Sequence, residues 1–252
     1  MNRLDTLFST KKSRILSVYF TAGYPELNAT LPLLKVIEDS GADIAEIGFP
    51  FSDPLADGPV IQASSDVALK NGMSLDRLLT ELTESKNSVQ IPLVLMGYLN
   101  PILSMGTETF IARCKEAGID GVILPDVPLD EWERGLAKQF QDAGIHAILL
   151  VSPRTDDERL KRIDKISSGF LYAVTMSGIT GGQISGSGSV LQRFQTVTLR
   201  NPVLAGFGIH DKASLDSVCK YTRGGIIGSA FIKTLQGEDY LKNASTFLQQ
   251  LR

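Results

Sequence analysis

Short apolar runs alternate along the chain with segments of helical periodicity. The runs are ILSVYF (15–20), DIAEIGF (43–49), PLVLM (92–96), GVILP (121–125), HAILLV (146–151), GFLYAV (169–174), PVLAGF (202–207) and GGIIGS (224–229). Most are rich in Ile, Val and Leu and do not alternate polar with apolar, as strands buried on both faces of a parallel sheet do not. Between them, Leu33, Leu34 and Ile37 mark one face of 29–40, and Phe110, Ile111 and Cys114 one face of 107–117. Segments 131–143, 156–166, 189–199, 211–220 and 238–251 complete the helical set, and Thr155-Asp156-Asp157-Glu158 reads as a capping box opening one of them. Residues 1–11 read as an extra N-terminal helix.

The helix ends share a phrase. Ser40-Gly41-Ala42-Asp43, Ala117-Gly118-Ile119-Asp120 and Ala143-Gly144-Ile145-His146 each set a glycine after the last helical turn and then a strand. Glycine adopts the left-handed conformation of that position without a Cβ penalty. Repeated βα units of this kind predict a closed (β/α)8 TIM barrel, a fold that takes about 250 residues, so 1–252 is expected to form a single domain with the N-terminal helix across its bottom. The alternative is an open doubly wound sheet. That fold calls for a glycine-rich dinucleotide loop, and no G-x-G-x-x-G follows the first run. One stretch breaks the rhythm: 166–192 has no charged residue and six glycines, centred on SGITGGQISGSGS (177–189). A flexible linker is one reading, but the stretch lies inside a repeating unit and joins no domains. A mobile loop over the barrel mouth, after the sixth strand, is the expectation.

Composition narrows the classes. Hydrophobic residues make up 43% and charged residues 21%, ordinary globular usage. A net charge of −3 without any basic block argues against a nucleic-acid partner. Cys114 and Cys219 fall in separate helical segments and read as buried thiols, not a disulfide. With two histidines and no Cys/His cluster, no metal site is expected. Residues 87–107 are uncharged, but Asn87, Ser88, Gln90, Pro92, Asn100 and Pro101 interrupt them, so no membrane span is expected. MNRLDTLFSTKKSR has no apolar core of a signal peptide, and the expected location is the cytoplasm.

Barrel chemistry sits at the C-terminal ends of the strands and in the loops after them. Glu46 lies inside an apolar strand and faces the same way as Ile44 and Gly48. If that face points into the barrel, desolvation raises its pKa and suits it to both giving and taking a proton. A structural carboxylate paired with a base is the alternative, yet the strand runs contain no Lys or Arg. Asp53 and Asp57 share the proline-braced loop that follows. Asp53 reads as an Asx turn; for Asp57 a structural and a catalytic role stay open. Glycines at Gly181-Gly182, at Gly206 and Gly208 after the seventh strand, and at Gly228-Ser229 after the eighth suit a phosphate. Equally, glycines there do no more than end strands tightly. Lys233 reads as a capping or solvated residue, and with no lysine in a strand an imine mechanism is disfavoured. His146 reads as structural, at the barrel bottom, and Trp132 as packing or surface.

AEIGFPFSDPLADGPVIQ (45–62) closely resembles the signature of the tryptophan synthase alpha subunit family. FTAGYP (20–25), MGYLNP (96–101), LPDVP (124–128), Tyr172 with GITGG (178–182), GFGI (206–209) and GSA (228–230) resemble its other loops in order. The resemblance implies cofactor-free retro-aldol cleavage of indole-3-glycerol phosphate to indole and glyceraldehyde 3-phosphate. It implies Glu46 and Asp57 as catalytic carboxylates, and Tyr172 and Thr180 as groups that orient Asp57. It further implies Gly181, Gly208, Gly228 and Ser229 as phosphate ligands, and Tyr19, Leu124 and Phe207 as the indole slot. The implied partner is the beta subunit, which holds pyridoxal phosphate, in an alpha2-beta2 complex, with Asp53 and Asp126 on the shared face. Two positions depart from the pattern: Tyr19 stands where phenylalanine is common, and Met176 near where some members carry arginine. Another phosphate-binding barrel enzyme of the same pathway, or a barrel that mainly activates its partner, are the competing readings.

Overall fold

The computed structural model describes residues 2–86, 88–152, 154–174, 191–206 and 208–252. Eight parallel strands close into a barrel in sequence order: β1 (Ile15–Thr21), β2 (Ile44–Gly48), β3 (Leu93–Met96), β4 (Gly121–Ile123), β5 (His146–Val151), β6 (Leu171–Val174), β7 (Val203–Gly206) and β8 (Gly224–Ile227), with β8 hydrogen-bonded back to β1. The TIM barrel expected from the apolar runs is the fold observed.

Alternation along each strand sorts side chains into two cores. Ile15, Ile44, Val94, Ile123, Ile148, Phe170, Leu204 and Ile226 point inward and fill the barrel, and Leu4 of the N-terminal helix Arg3–Thr10 joins them. Leu16, Val18, Phe20, Ala45, Ile47, Leu95, Val122, Ala147, Leu149 and Ala205 point outward into the layer shared with the helices. Each fully buried large aliphatic side chain contributes about 1.5–3 kcal/mol relative to exposure. The barrel closes tightly at its seam. A Cβ on Gly224 would lie 2.0 Å from the Ile15 carbonyl oxygen, so only glycine fits where β8 meets β1.

The glycine phrase behaves as expected: Gly41, Gly118 and Gly144 have φ of 78°, 73° and 81°. Other details differ from the sequence reading. Helices Pro59–Lys70 and Leu75–Glu84 both follow β2, and Leu99–Met105 follows β3; the apolar pattern did not single these out. The helix expected over 131–143 is kinked at Gly135, whose φ of 133° falls inside the segment Trp132–Leu136, ahead of the helix Ala137–Asp142. The cap near 155 is one residue later than read: the Asp156 side chain accepts from Arg159 N, and Thr155 Oγ1 accepts from Ser152 N instead. A true capping box lies at Asp211 and Ser214. His146 opens β5 with Nε2 3.1 Å from an Asp5 carboxylate oxygen, and Trp132 is buried. Both cysteines are free thiols, Cys114 buried and Cys219 half-buried. Among the described residues no helix is long and apolar enough to cross a membrane.

Candidate active site

Glu46 is wholly inside the barrel, 0% exposed. Its position follows from the alternation Ile44, Glu46, Gly48 on the inward face of β2. Burial raises its carboxyl to about 7, and a hydrogen bond from Ser17 opposes that rise. Ser17 Oγ, itself fully buried in β1, donates to Glu46 Oε1 at 2.6 Å, while Oε2 has no hydrogen-bond partner among the described residues. Among the described residues no cation pairs with the carboxyl, so there it is not the structural carboxylate paired with a base.

Asp57 is held by the loop after β2. Its amide donates to the Pro54 carbonyl, and Gln62 Nε2 donates to the carbonyls of Pro54 and Asp57, tying the loop to the first turn of Pro59–Lys70. Desolvation raises its carboxyl to about 6, opposed by a hydrogen bond from Tyr98. Tyr98 Oη donates to Asp57 Oδ2 at 2.9 Å and accepts from Ala56 N at 3.0 Å, and its ring stacks on Phe51. Tyr98 is the functional side chain that the sequence reading missed. It sits inside the MGYLNP motif, yet nothing local says that a tyrosine after β3 reaches a carboxylate after β2.

A cavity of about 630 Å³ opens at this end of the barrel. Tyr19, Asp57, Tyr172, Gly208, Gly228 and Ser229 line it together with Met96, so six of the expected site residues converge there. Glu46 does not line it. The cavity wall instead carries the rings of Tyr19 and Tyr172, whose phenols are pushed above their ordinary range mainly by burial and also by the nearby Asp57 and Glu46 charges. Both rings occupy room left by glycines: a Cβ on Gly48 would lie 2.1 Å from Tyr19 Oη, and one on Gly206 would lie 2.4 Å from Tyr172 Oη. Ile61 and Ile232 pack with Tyr19 into an apolar wall. His210 and Lys233 also line the cavity, bringing to it two nitrogen-bearing side chains outside the expected site set.

Other expectations land elsewhere. Leu124, expected in the apolar slot, is buried in the outer layer between barrel and helices. It is one residue beyond inward-facing Ile123, so alternation turns it outward. Asp53 is exposed, and its carboxylate accepts from Ser52 Oγ; Leu55 N donates to the Asp53 carbonyl rather than to its side chain, so no Asx turn forms. Asp126 is exposed too, and both its carboxylate oxygens accept from Leu99 N, capping the helix Leu99–Met105. Thr180, Gly181, Phe207, Met176 and the 177–189 segment lie outside the described residues.

The comparisons bear on the whole chain. The family model for the tryptophan synthase alpha chain matches residues 6–251. A tryptophan synthase alpha chain from Flavobacterium johnsoniae is 47% identical, covering 93% of this chain and 94% of its own. One from Flavobacterium psychrophilum is 44% identical over all of both chains. Among solved structures, tryptophan synthase subunit alpha from Legionella pneumophila superposes with a TM-score of 0.90 at 34% identity, covering 100% of this chain and 97% of that one. A chain in a tryptophan synthase complex from Pyrococcus furiosus gives 0.86 at 33% identity, covering 96% and 99%.

Proposed function

The chain belongs to the tryptophan synthase alpha chain family, lyases that cleave indole-3-glycerol phosphate, and we propose that in it Glu46 carries the proton and Asp57 holds the indole nitrogen. The carrying observation is that Glu46, on the inward face of β2, and Asp57, in the loop that follows it, each accept one side-chain hydrogen bond and, among the described residues, pair with no cation; desolvation raises the two carboxyls to about 7 and about 6. Cleavage of the bond between indole C3 and the glycerol chain needs an electron sink. Protonated Glu46 gives its proton to C3, placing positive charge on the ring nitrogen. Ionised Asp57 accepts the hydrogen bond of that N–H and stabilises the charge. The Glu46 carboxylate then takes the proton of the adjacent glycerol hydroxyl. As that oxygen becomes the aldehyde of glyceraldehyde 3-phosphate, the carbon–carbon bond breaks, its electrons return to the ring, and indole leaves. The proton that Glu46 gave is replaced, so the step is self-balancing and needs no cofactor in this chain.

Gly208, Gly228 and Ser229 suit the phosphate, since two of the three have no side chain to block backbone N–H groups from its oxygens. Their place in the cavity lining, with Lys233 and His210 beside them, supports this reading. Tyr19 and Tyr172 suit the indole ring as flat apolar surfaces. The beta subunit is proposed as the partner, holding pyridoxal phosphate and consuming the indole, in an alpha2-beta2 assembly in the cytoplasm. Support comes from the exposed Leu55 (91%) beside Asp53, and from Leu103 (58%) on the helix that Asp126 caps. Large apolar side chains at such exposure suit a surface covered by another protein. The test is indole release from indole-3-glycerol phosphate by the wild-type chain and by Glu46→Gln, with and without beta subunit. Wild-type release, lost in the variant, supports the reading; comparable turnover by the variant overturns it.

A further inference from the structure

Glu46 does not face the substrate cavity, and the direction in which its carboxyl turns is set by another side chain. In the register of β1 with β2, Glu46 lies opposite Tyr19, and Ser17 lies opposite Ile44. Ser17 is therefore one inward position nearer the bottom of the barrel. By bonding to Ser17 the carboxyl leans back from the mouth, and the cavity is lined by Tyr19, Met96 and Tyr172 without it. β1 carries two buried small hydroxyls: Thr21 Oγ1 shares a hydrogen bond with Ser64 Oγ, whereas Ser17, level with Ile44 and Ile226 in the barrel register, has its Oγ on the Glu46 carboxyl. A buried hydroxyl needs a partner, and Glu46 is the partner that the structure gives it.

We propose that Ser17 is a positioning residue of the lyase site: its hydroxyl latches Glu46 in a withdrawn position, and the latch must open for the carboxyl to meet substrate. This rests on Glu46 being the proton carrier. The withdrawn carboxylate has one hydrogen bond to lose and, on its other oxygen, none to give up. Release therefore exchanges one contact for the substrate's hydroxyl. Among the described residues, the titratable groups that act on Glu46 are the Tyr19 phenol from β1 and the Tyr172 phenol from β6, and β3 presents Val94 opposite it. None of these changes in a Ser17 variant, so a pH effect of such a variant reports on the latch.

The test is the pH profile of kcat/KM for indole release by the wild type, Ser17→Ala, Ser17→Thr and Glu46→Gln. Alanine fills nearly the same space, so folding is retained. Without the hydroxyl, the alkaline limb is expected to move up by about one pH unit, since a hydrogen bond to a charged group is worth about 1.5–3 kcal/mol and part is regained elsewhere. At the optimum, kcat/KM is expected to rise several-fold, because the latched state no longer competes. Ser17→Thr keeps the hydroxyl and is expected to restore the wild-type limb. An unmoved limb in Ser17→Ala, or a fall in kcat/KM, overturns the latch. Retained turnover by Glu46→Gln would instead overturn the assignment of Glu46 itself, so the two failures are distinguishable.

Discussion

At the bottom of the barrel, the Asp120 carboxylate accepts from Arg3 N, Arg3 Nε and Leu93 N. At the mouth, the Glu46 carboxyl accepts from one serine and the Asp57 carboxyl from one phenol. The same chemical group is thus bound fully at one end and sparsely at the other. The bottom follows this rule elsewhere: Asp43 accepts from Lys11 Nζ and Leu16 N, and Asp164 from the amides of Arg200 and Asn201. A saturated carboxylate fastens loops and helices to strand ends. A carboxyl left short of donors in a desolvated place keeps its proton toward neutral pH and can trade it. In a TIM barrel, stability is a matter for the lower face and chemistry for the upper one; here the number of donors per carboxyl is the physical form of that division.

The largest expected effect sharpens the contrast from the mouth. Glu46→Gln is expected to lower cleavage by about a thousandfold or more, the scale of general acid–base catalysis. The same variant carries a stability signature. Because the folded carboxyl is raised from 4.5 to about 7, the folded state binds more proton between those values, and its stabilising effect, full below about 4.5, is lost as pH rises through about 7. Urea unfolding at pH 5 and pH 8 is expected to show the wild type losing stability across that window, by up to a few kcal/mol, and Glu46→Gln losing less. Equal pH dependence in the two proteins breaks the contrast.

Asp120→Ala probes the bottom. It leaves Arg3, two backbone amides and a buried cavity without their acceptor, and is expected to cost about 2–4 kcal/mol in urea unfolding. Indole release per folded molecule is expected to stay near the wild type; a tenfold fall would show that the two ends are not independent. Tyr98→Phe is a smaller change at the mouth. Its hydrogen bond lowers the Asp57 pKa, so the acidic limb of kcat/KM is expected to move up from about 6 and cleavage to fall roughly tenfold, the scale of one hydrogen bond to a charged group. An unmoved limb would show that Asp57 is not the group titrating there. Smallest is Leu55→Ser, expected to change stability by under about 0.5 kcal/mol while weakening activation by the beta subunit in a titration of indole release.

The barrel was legible because both of its signals are local. Strands buried on two faces leave unbroken Ile/Val/Leu runs, and Gly41, Gly118 and Gly144 each mark an end by a conformation other residues avoid. The inward direction of Glu46 was legible from the same two-residue period. The same period turns Leu124, the residue after inward-facing Ile123, to the outer layer; its expected place in the indole slot came from the family resemblance and not from the alternation. Side-chain contacts between segments distant in sequence left no trace at all. Ser17 with Glu46 spans 29 residues and Tyr98 with Asp57 spans 41, and each depends on a rotamer and a register that periodicity does not encode. Asp126 was legible only through a family resemblance that assigned it to a partner's face, while the fold also gives it a task within the chain, holding Leu99 N.

The rings of Tyr19 and Tyr172 stand in spaces that exist because Gly48 and Gly206 have no side chains. For a gene drifting under mutation this imposes an order of events. An alanine at either glycine, arriving while its tyrosine is still in place, collides with a phenol inside a packed barrel and is removed by selection. Only after the ring has been exchanged for something smaller does that glycine become free to vary. Each pair is therefore a one-way gate in sequence space, and lineages that share these tyrosines are expected to keep the glycines with them.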